Sequence, residues 1–116
     1  MASAIAKLKN LPVSARKARL VADLIRGKRV ADARDILSFT VKNSALPIRK
    51  LLDSAVANAE NAATEKHERI DTDEMIVKTI IVNEGRTLQR YQNAPRGRAT
   101  RIRKRSSHVE LLIADK

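Results

Sequence analysis

The spacing of apolar positions changes several times along the chain, and each change predicts an element. Over residues 3–10 the alternation is weak: Ala4, Ala6 and Leu8 share one parity, Ile5, Lys7 and Lys9 the other. This predicts a short strand, ended by Pro12. Ala18, Val21, Ala22 and Ile25 then recur at helical spacing, with Leu24 widening the stripe, and predict a helix over residues 15–26. Ser14 is placed as its N-cap, the side-chain oxygen accepting an orphan amide of the first turn. Gly27 follows at the left-handed position where a Cβ is costly. A second helix fits residues 30–39, with Val30, Ala33, Ile36 and Leu37 inward. A third begins near Ser44 and tolerates Pro47 in its first turn. Its stripe is the longest in the chain: Ile48, Leu51, Leu52, Ala55, Val56, Ala59 and Ala62. The alanines predict close packing against a sheet or another helix. Residues 64–74 are polar and read as a loop.

Residues 75–83, MIVKTIIVN, are β-branched and bounded by polar residues, which predicts a strand with both faces partly covered. Past Gly85 the extended pattern continues with polar side chains, and Asn93, Ala94, Pro95, Arg96 and Gly97 signal a reversal. The chain then returns to alternation at Val109, Leu111 and Ile113. Two strands joined by a polar turn make a hairpin with an apolar base and a basic far half. At ~3.3 Å per residue, ten residues of such a ribbon reach on the order of 30 Å.

Charge gives this hairpin its meaning. The formal net charge is +11, but it is uneven: residues 1–29 hold eight cations and one acid, residues 30–84 seven cations and ten acids, residues 85–116 nine cations and two acids. Two basic ends around a mildly acidic middle suit a binding surface with a solvent side. The far half carries Arg86, Arg90, Arg96, Arg98, Arg101, Arg103, Lys104 and Arg105, with no Asp or Glu between residues 85 and 109. Its few apolar residues cannot offset the entropy of ordering it. It needs an anionic surface, and the planar fork of arginine suits phosphate oxygens. Arg16, Lys17, Arg19, Arg26, Lys28 and Arg29 form a candidate second patch near the N-terminus. Tyr91 and Phe39 are the only aromatics, so base-stacking platforms are not evident and recognition of RNA shape and backbone is favoured.

Other chemistry finds little support. The chain of 116 residues suits one domain, and it has no cysteine for disulfides or thiolate metal sites. No apolar run approaches a membrane span, and the first residues lack a secretory apolar core, so a cytoplasmic protein without membrane association is expected. His67 and His108 stand without well-spaced ligand partners; His108, beside Ser106 and Ser107, suits a structural or RNA-directed hydrogen bond. Asp71, Asp73 and Glu74 lack the glycine and the bidentate glutamate of a calcium loop. No glycine-rich phosphate loop and no nucleophile with a positioned base can be argued, so no metal, cofactor, small-molecule substrate or catalysis is expected.

Three stretches resemble a known family. They are the run from Ser14 to Val21 with Ile25, Arg26, Gly27 and Lys28, the segment from Leu52 to Glu60, and Gly97, Arg98, Ala99 followed by Arg101 to Val109. In order, and over nearly the whole chain, they are similar to ribosomal large-subunit protein twenty-two. The resemblance implies an α+β fold, with three helices on a small antiparallel sheet and a long protruding basic β-hairpin. It implies a body of residues 1–84 and 106–116 and an arm of residues 85–105. It also implies a structural constituent of the large subunit, supporting subunit assembly, whose hairpin lines the polypeptide exit tunnel. The implied partners are large-subunit rRNA, neighbouring ribosomal proteins and the nascent chain. On this reading the RNA-binding residues are the fourteen cations named above, with His108. The tunnel-lining tip is Leu88, Gln89, Arg90, Tyr91, Gln92, Asn93, Ala94, Pro95, Arg96 and Gly97. In the family a basic and then a small residue usually precede the glycine equivalent to Gly97; here Ala94 and Pro95 stand there. The competing expectations are an architectural nucleic-acid-binding protein acting outside the ribosome and an RNA-modifying enzyme.

Overall fold

A computed structural model describes residues 3–67, 69–93 and 95–115, and the elements below are those these residues form. The strand β1 (Ser3–Leu11) is followed by the helices α1 (Ala15–Ile25), α2 (Val30–Phe39) and α3 (Ala45–Glu65). After a single 3-10 turn at Thr72–Glu74 come the strands β2 (Ile76–Glu84), β3 (Leu88–Asn93), β4 (Ala99–Lys104) and β5 (Ser107–Ala114). β5 lies between β1 and β2, antiparallel to both, and β3 pairs with β4 in a separate two-stranded ribbon. The fold is α+β, with three helices packed on antiparallel sheet.

The sheet buries one face, and its register explains which residues lie there. Ala4, Ile113 and Val77 form one buried row, and Ala6, Leu111 and Ile80 the next. Val109 continues the set beside Val82, with Leu8 partly covered. Each fully buried Val, Leu or Ile here contributes about 1.5–3 kcal/mol over its exposed state. α3 crosses β1 and β5 on this face while α1 lies against β2. Ala4 and Ala6 meet a helix whose inner face carries Ala55 and Ala59, so small side chains on both surfaces permit the close approach that the sequence predicts.

Two bulges adjust the strands. Between Leu8 and Leu11 the β1 register slips by one residue, and Asn10 takes up the excess at φ 59°, a conformation Asn tolerates better than most residues. A second slip between Val77 and Thr79 keeps both Val77 and Ile80 on the buried face although they are three residues apart. Ile76 and Thr79 are half-buried on the other face, so both faces of residues 75–83 are partly covered, as the sequence predicts. The bulge uses the extra apolar position, and Ile81 is left 44% exposed on the outer face.

The helices follow their stripes with three corrections. Ser14 caps α1 by accepting the Lys17 amide at 3.4 Å, and Gly27 sits at φ +80° beyond its end. Leu24 does not widen the buried stripe: it lies well round the helix from Ala18, Val21, Ala22 and Ile25, and it is 47% exposed. On α3 the last buried position is Ala63, four residues after Ala59, while Ala62 is only half-buried. Ile36 does face inward, half-buried against the core. Finally, residues 64–74 are not all loop, since α3 runs through Glu65 and the 3-10 turn closes the segment.

Candidate nucleic-acid interface

The ribbon grows directly out of the sheet. The Gly85 amide donates to Ser106 O at 2.9 Å, and Ser106 Oγ donates to Arg86 O at 2.7 Å, so pairing carries across the gap between β2 and β3. Gly85 leaves the space that the Ser106 hydroxyl occupies. A Cβ on it would stand 2.6 Å from Ser106 Oγ and 3.2 Å from His108 Nε2. Beyond this point every side chain of β3 is exposed, and on β4 only Ile102 is half-buried. The chain reverses at Pro95–Gly97, where Arg96 (φ 65°) and Gly97 (φ 71°) are both left-handed. Ala94 lies outside the described residues.

Cross-strand pairing assigns the faces. Directly opposed residues share a face, so Arg90, opposite Ile102, lies with Lys104, which stands opposite Leu88. The other face holds Arg101 opposite Tyr91 and Arg103 opposite Gln89. Cations therefore project from both faces. Among the described residues no ion pair links Arg86, Arg90, Arg96, Arg98, Arg101, Arg103, Lys104 or Arg105 to a carboxylate. Of the residues the sequence assigns to the tip, Pro95, Arg96 and Gly97 form the reversal, with Gln92 and Asn93 leading into it. Leu88, Gln89 and Arg90 stand at the sheet-proximal end of the ribbon, and Tyr91 between, 67% exposed.

The N-terminal cations divide into two sets. Arg19 donates from Nε and Nη2 to Val82 O at 3.2 and 3.0 Å. Arg26 donates to Asp23 through Nη1 and to Ile80 O through Nη2. Arg29 pairs with Asp32 at 3.2 Å and with Glu74 at 3.6 Å. The hydrogen bond to Asp32 and the charges of both carboxylates raise the Arg29 guanidinium above its ordinary value. By contrast Arg16, Lys17 and Lys28 are exposed, with no side-chain partner among the described residues.

The structure joins clusters that are about 90 residues apart in sequence. Arg16, Lys17 and Arg19 line one side of an open groove of about 650 Å³, and Arg103, Lys104 and Arg105 line the other. Glu84 is the acid on its rim. The sequence shows each cluster but not their meeting, which depends on β5 pairing back beside β2.

The histidines have separate settings. His108 Nδ1 accepts the Asn10 amide at 3.1 Å, tying β5 to the bulge of β1, while His67 follows the end of α3. Beside His108, the Ser107 hydroxyl is fully buried, with no hydrogen-bond partner among the described residues. Among the described residues no group of three or more His, Asp or Glu side chains could hold a metal ion. No helix they form is long and apolar enough to cross a membrane.

A small α+β fold with a net charge of +11, an exposed acid-free ribbon and a second cationic cluster across a shared groove defines a class: basic proteins whose charge is arranged for an extended polyanion. A sequence profile of the family described as Ribosomal protein L22p/L17e matches residues 6–114, all but the first five and last two residues. The chain belongs to that family, and it is a protein of the large ribosomal subunit. The family is one of structural ribosomal proteins rather than enzymes, and it implies association with large-subunit rRNA and ribosomal proteins.

Proposed function

We propose that the protein clamps large-subunit rRNA, with the β3–β4 ribbon as an arm threaded between RNA segments and its reversal lining the polypeptide exit tunnel. The chain acts as one unit, residues 1–84 and 106–116 forming the body and residues 85–105 the arm. The observation that carries this reading is the presence on both faces of the ribbon of cations that have no ion-pair partner among the described residues. A ribbon lying on a flat anionic surface needs charge on one face only; charge on both suits a cleft with phosphates on either side. Arg90 and Lys104 serve one wall, Arg101 and Arg103 the other. Arg96 and Arg98 serve the far end, Arg86 and Arg105 the root. Arg16, Lys17 and Lys28 extend the contact onto the body. His108 acts through its bond to Asn10, holding the root in place. Residues 88–97 border the tunnel, with Pro95, Arg96 and Gly97 foremost, where the nascent chain passes.

The test replaces residues 86–105 by a short Gly-Ser turn and measures binding to purified large-subunit rRNA across salt concentrations. With about six to ten phosphate contacts, the intact protein loses roughly 10³–10⁵ in affinity between 50 and 200 mM salt. The replaced protein is expected to bind more weakly at low salt and to show a much shallower dependence. Equal slopes would remove the arm from the interface.

A further inference from the structure

β2 stands at an edge of the three-stranded sheet, and an open edge presents unpaired backbone groups to any strand that approaches. Its outward carbonyls are occupied in order. Met75 O accepts from the Val30 amide at 2.8 Å, and Val77 O from the Gly27 amide at 2.9 Å. The chain then enters α2, and two side chains of the preceding segment continue the series. Ile80 O accepts from Arg26 Nη2 at 2.8 Å, and Val82 O accepts both Arg19 bonds. Arg19 and Arg26 lie two helical turns apart, about 10 Å along the axis. The helix is thus stitched to the strand at two points, and the outer one lies three residues before Gly85, where the ribbon begins.

We propose that Arg19 and Arg26 are positioning residues for the cationic ribbon. By holding the outer edge of β2 to α1 they fix the direction in which the strand leaves the sheet, and they do not themselves take phosphate. This rests on the reading of the ribbon as an RNA-binding arm. Arg19 spends two N–H groups on one carbonyl, and Arg26 has a second commitment to Asp23. Both engagements use the fork of the guanidinium, which lysine cannot reproduce. Direction matters for this arm because cations on two faces must meet phosphates on two sides. The free edge of β1 carries a similar contact, where Asn58 Nδ2 donates to Ile5 O at 3.0 Å, so helix side chains reach both edges of the sheet.

The absence of cysteine makes the direction measurable. Spin labels at Asn61→Cys, exposed on α3, and Gln92→Cys, exposed on β3, report the distance distribution between body and arm. Charge-preserving Arg19→Lys is expected to shift or broaden that distribution. It should weaken binding to large-subunit rRNA several-fold and leave binding to poly(U), a flexible strand that adapts to any arm angle, unchanged. Arg16→Gln should weaken binding to both RNAs and leave the distance alone. Arg26→Lys repeats the test at the end of the helix, should Arg19→Lys fail to fold. An unchanged distance distribution overturns the proposal, as does full rRNA affinity in the lysine variants, which marks the two arginines as phosphate ligands or bystanders. If the wild-type protein bound no rRNA, the arm reading would fall while the distance measurement still decided the role of the two arginines.

Discussion

Ser107 occupies the point where the sheet becomes the ribbon, opposite Leu11 on one side and Glu84 on the other. Its hydroxyl is buried and bonds to none of the described residues, and a buried hydroxyl left unpaired costs about 1–3 kcal/mol in desolvation. Ser107→Ala keeps the shape and removes the orphan group. The free protein is therefore expected to gain up to about 1 kcal/mol in urea denaturation, against the usual direction of core substitutions. A loss of stability would mean that the hydroxyl is satisfied in solution. The neighbouring residues show why this junction is exacting. A Cβ on Gly85 would push the Ser106 hydroxyl off its bond to Arg86 O, and His108 holds Asn10.

Elements carry the stability, and their two faces are unequal. Leu111 lies at the centre of the buried rows, between Ala6 and Ile80, whereas Ile81 faces outward. Leu111→Ala is expected to cost about 2–5 kcal/mol, and Ile81→Ala less than about 1, both read from denaturation midpoints at constant m. Helix starts and strand order of appearance were legible in the sequence because caps and periods are local: Ser14, Gly27 and the stripe of α3 announce themselves, although the end of α3 at Glu65 did not. The bulges were not. A one-residue slip at residues 77–79 depends on what β5 presents opposite, which no local period records, so the inward set of β2 and the exposure of Ile81 emerge only in the fold. Leu24 fails for a related reason: an apolar residue at the margin of a stripe is buried only if a neighbour reaches it. For the candidate site, the run of arginines was visible. The division of the N-terminal cations was not, since the carbonyls of Val82 and Ile80 are some sixty residues away from the arginines they engage.

At the scale of the molecule, the chain extends 67 Å along its longest axis and 26 Å and 16 Å along the others, a shape set by the ribbon. Acids and cations are sorted within it. Asp32, Asp53, Asp73 and Glu74 are paired with Arg29 and Arg34, while the ribbon cations have no such partner among the described residues. Lys7 on β1 likewise pairs with Glu110 on β5, so among the described residues self-neutralisation is confined to the body, and the charge left over points outward along the arm. Deleting Leu88, Gln89 and Arg90 removes an odd number of residues from β3 and exchanges its two faces. Because every β3 side chain is exposed, the exchange costs no core packing. Assembly into large subunits, followed by sedimentation, is expected to proceed on the remaining cations although Arg90 is lost, with the wall near the reversal altered. Failure to enter subunits would make this segment an anchor.

Hydrogen exchange of the free protein and of the protein bound to large-subunit rRNA tests the central claim most directly, since a two-stranded ribbon alone is marginal in water. Amides of residues 86–105 should exchange quickly in the free protein, while β5 and α3 stay protected, and should slow by orders of magnitude on RNA. A ribbon already protected in the free protein and unchanged by RNA would contradict the account.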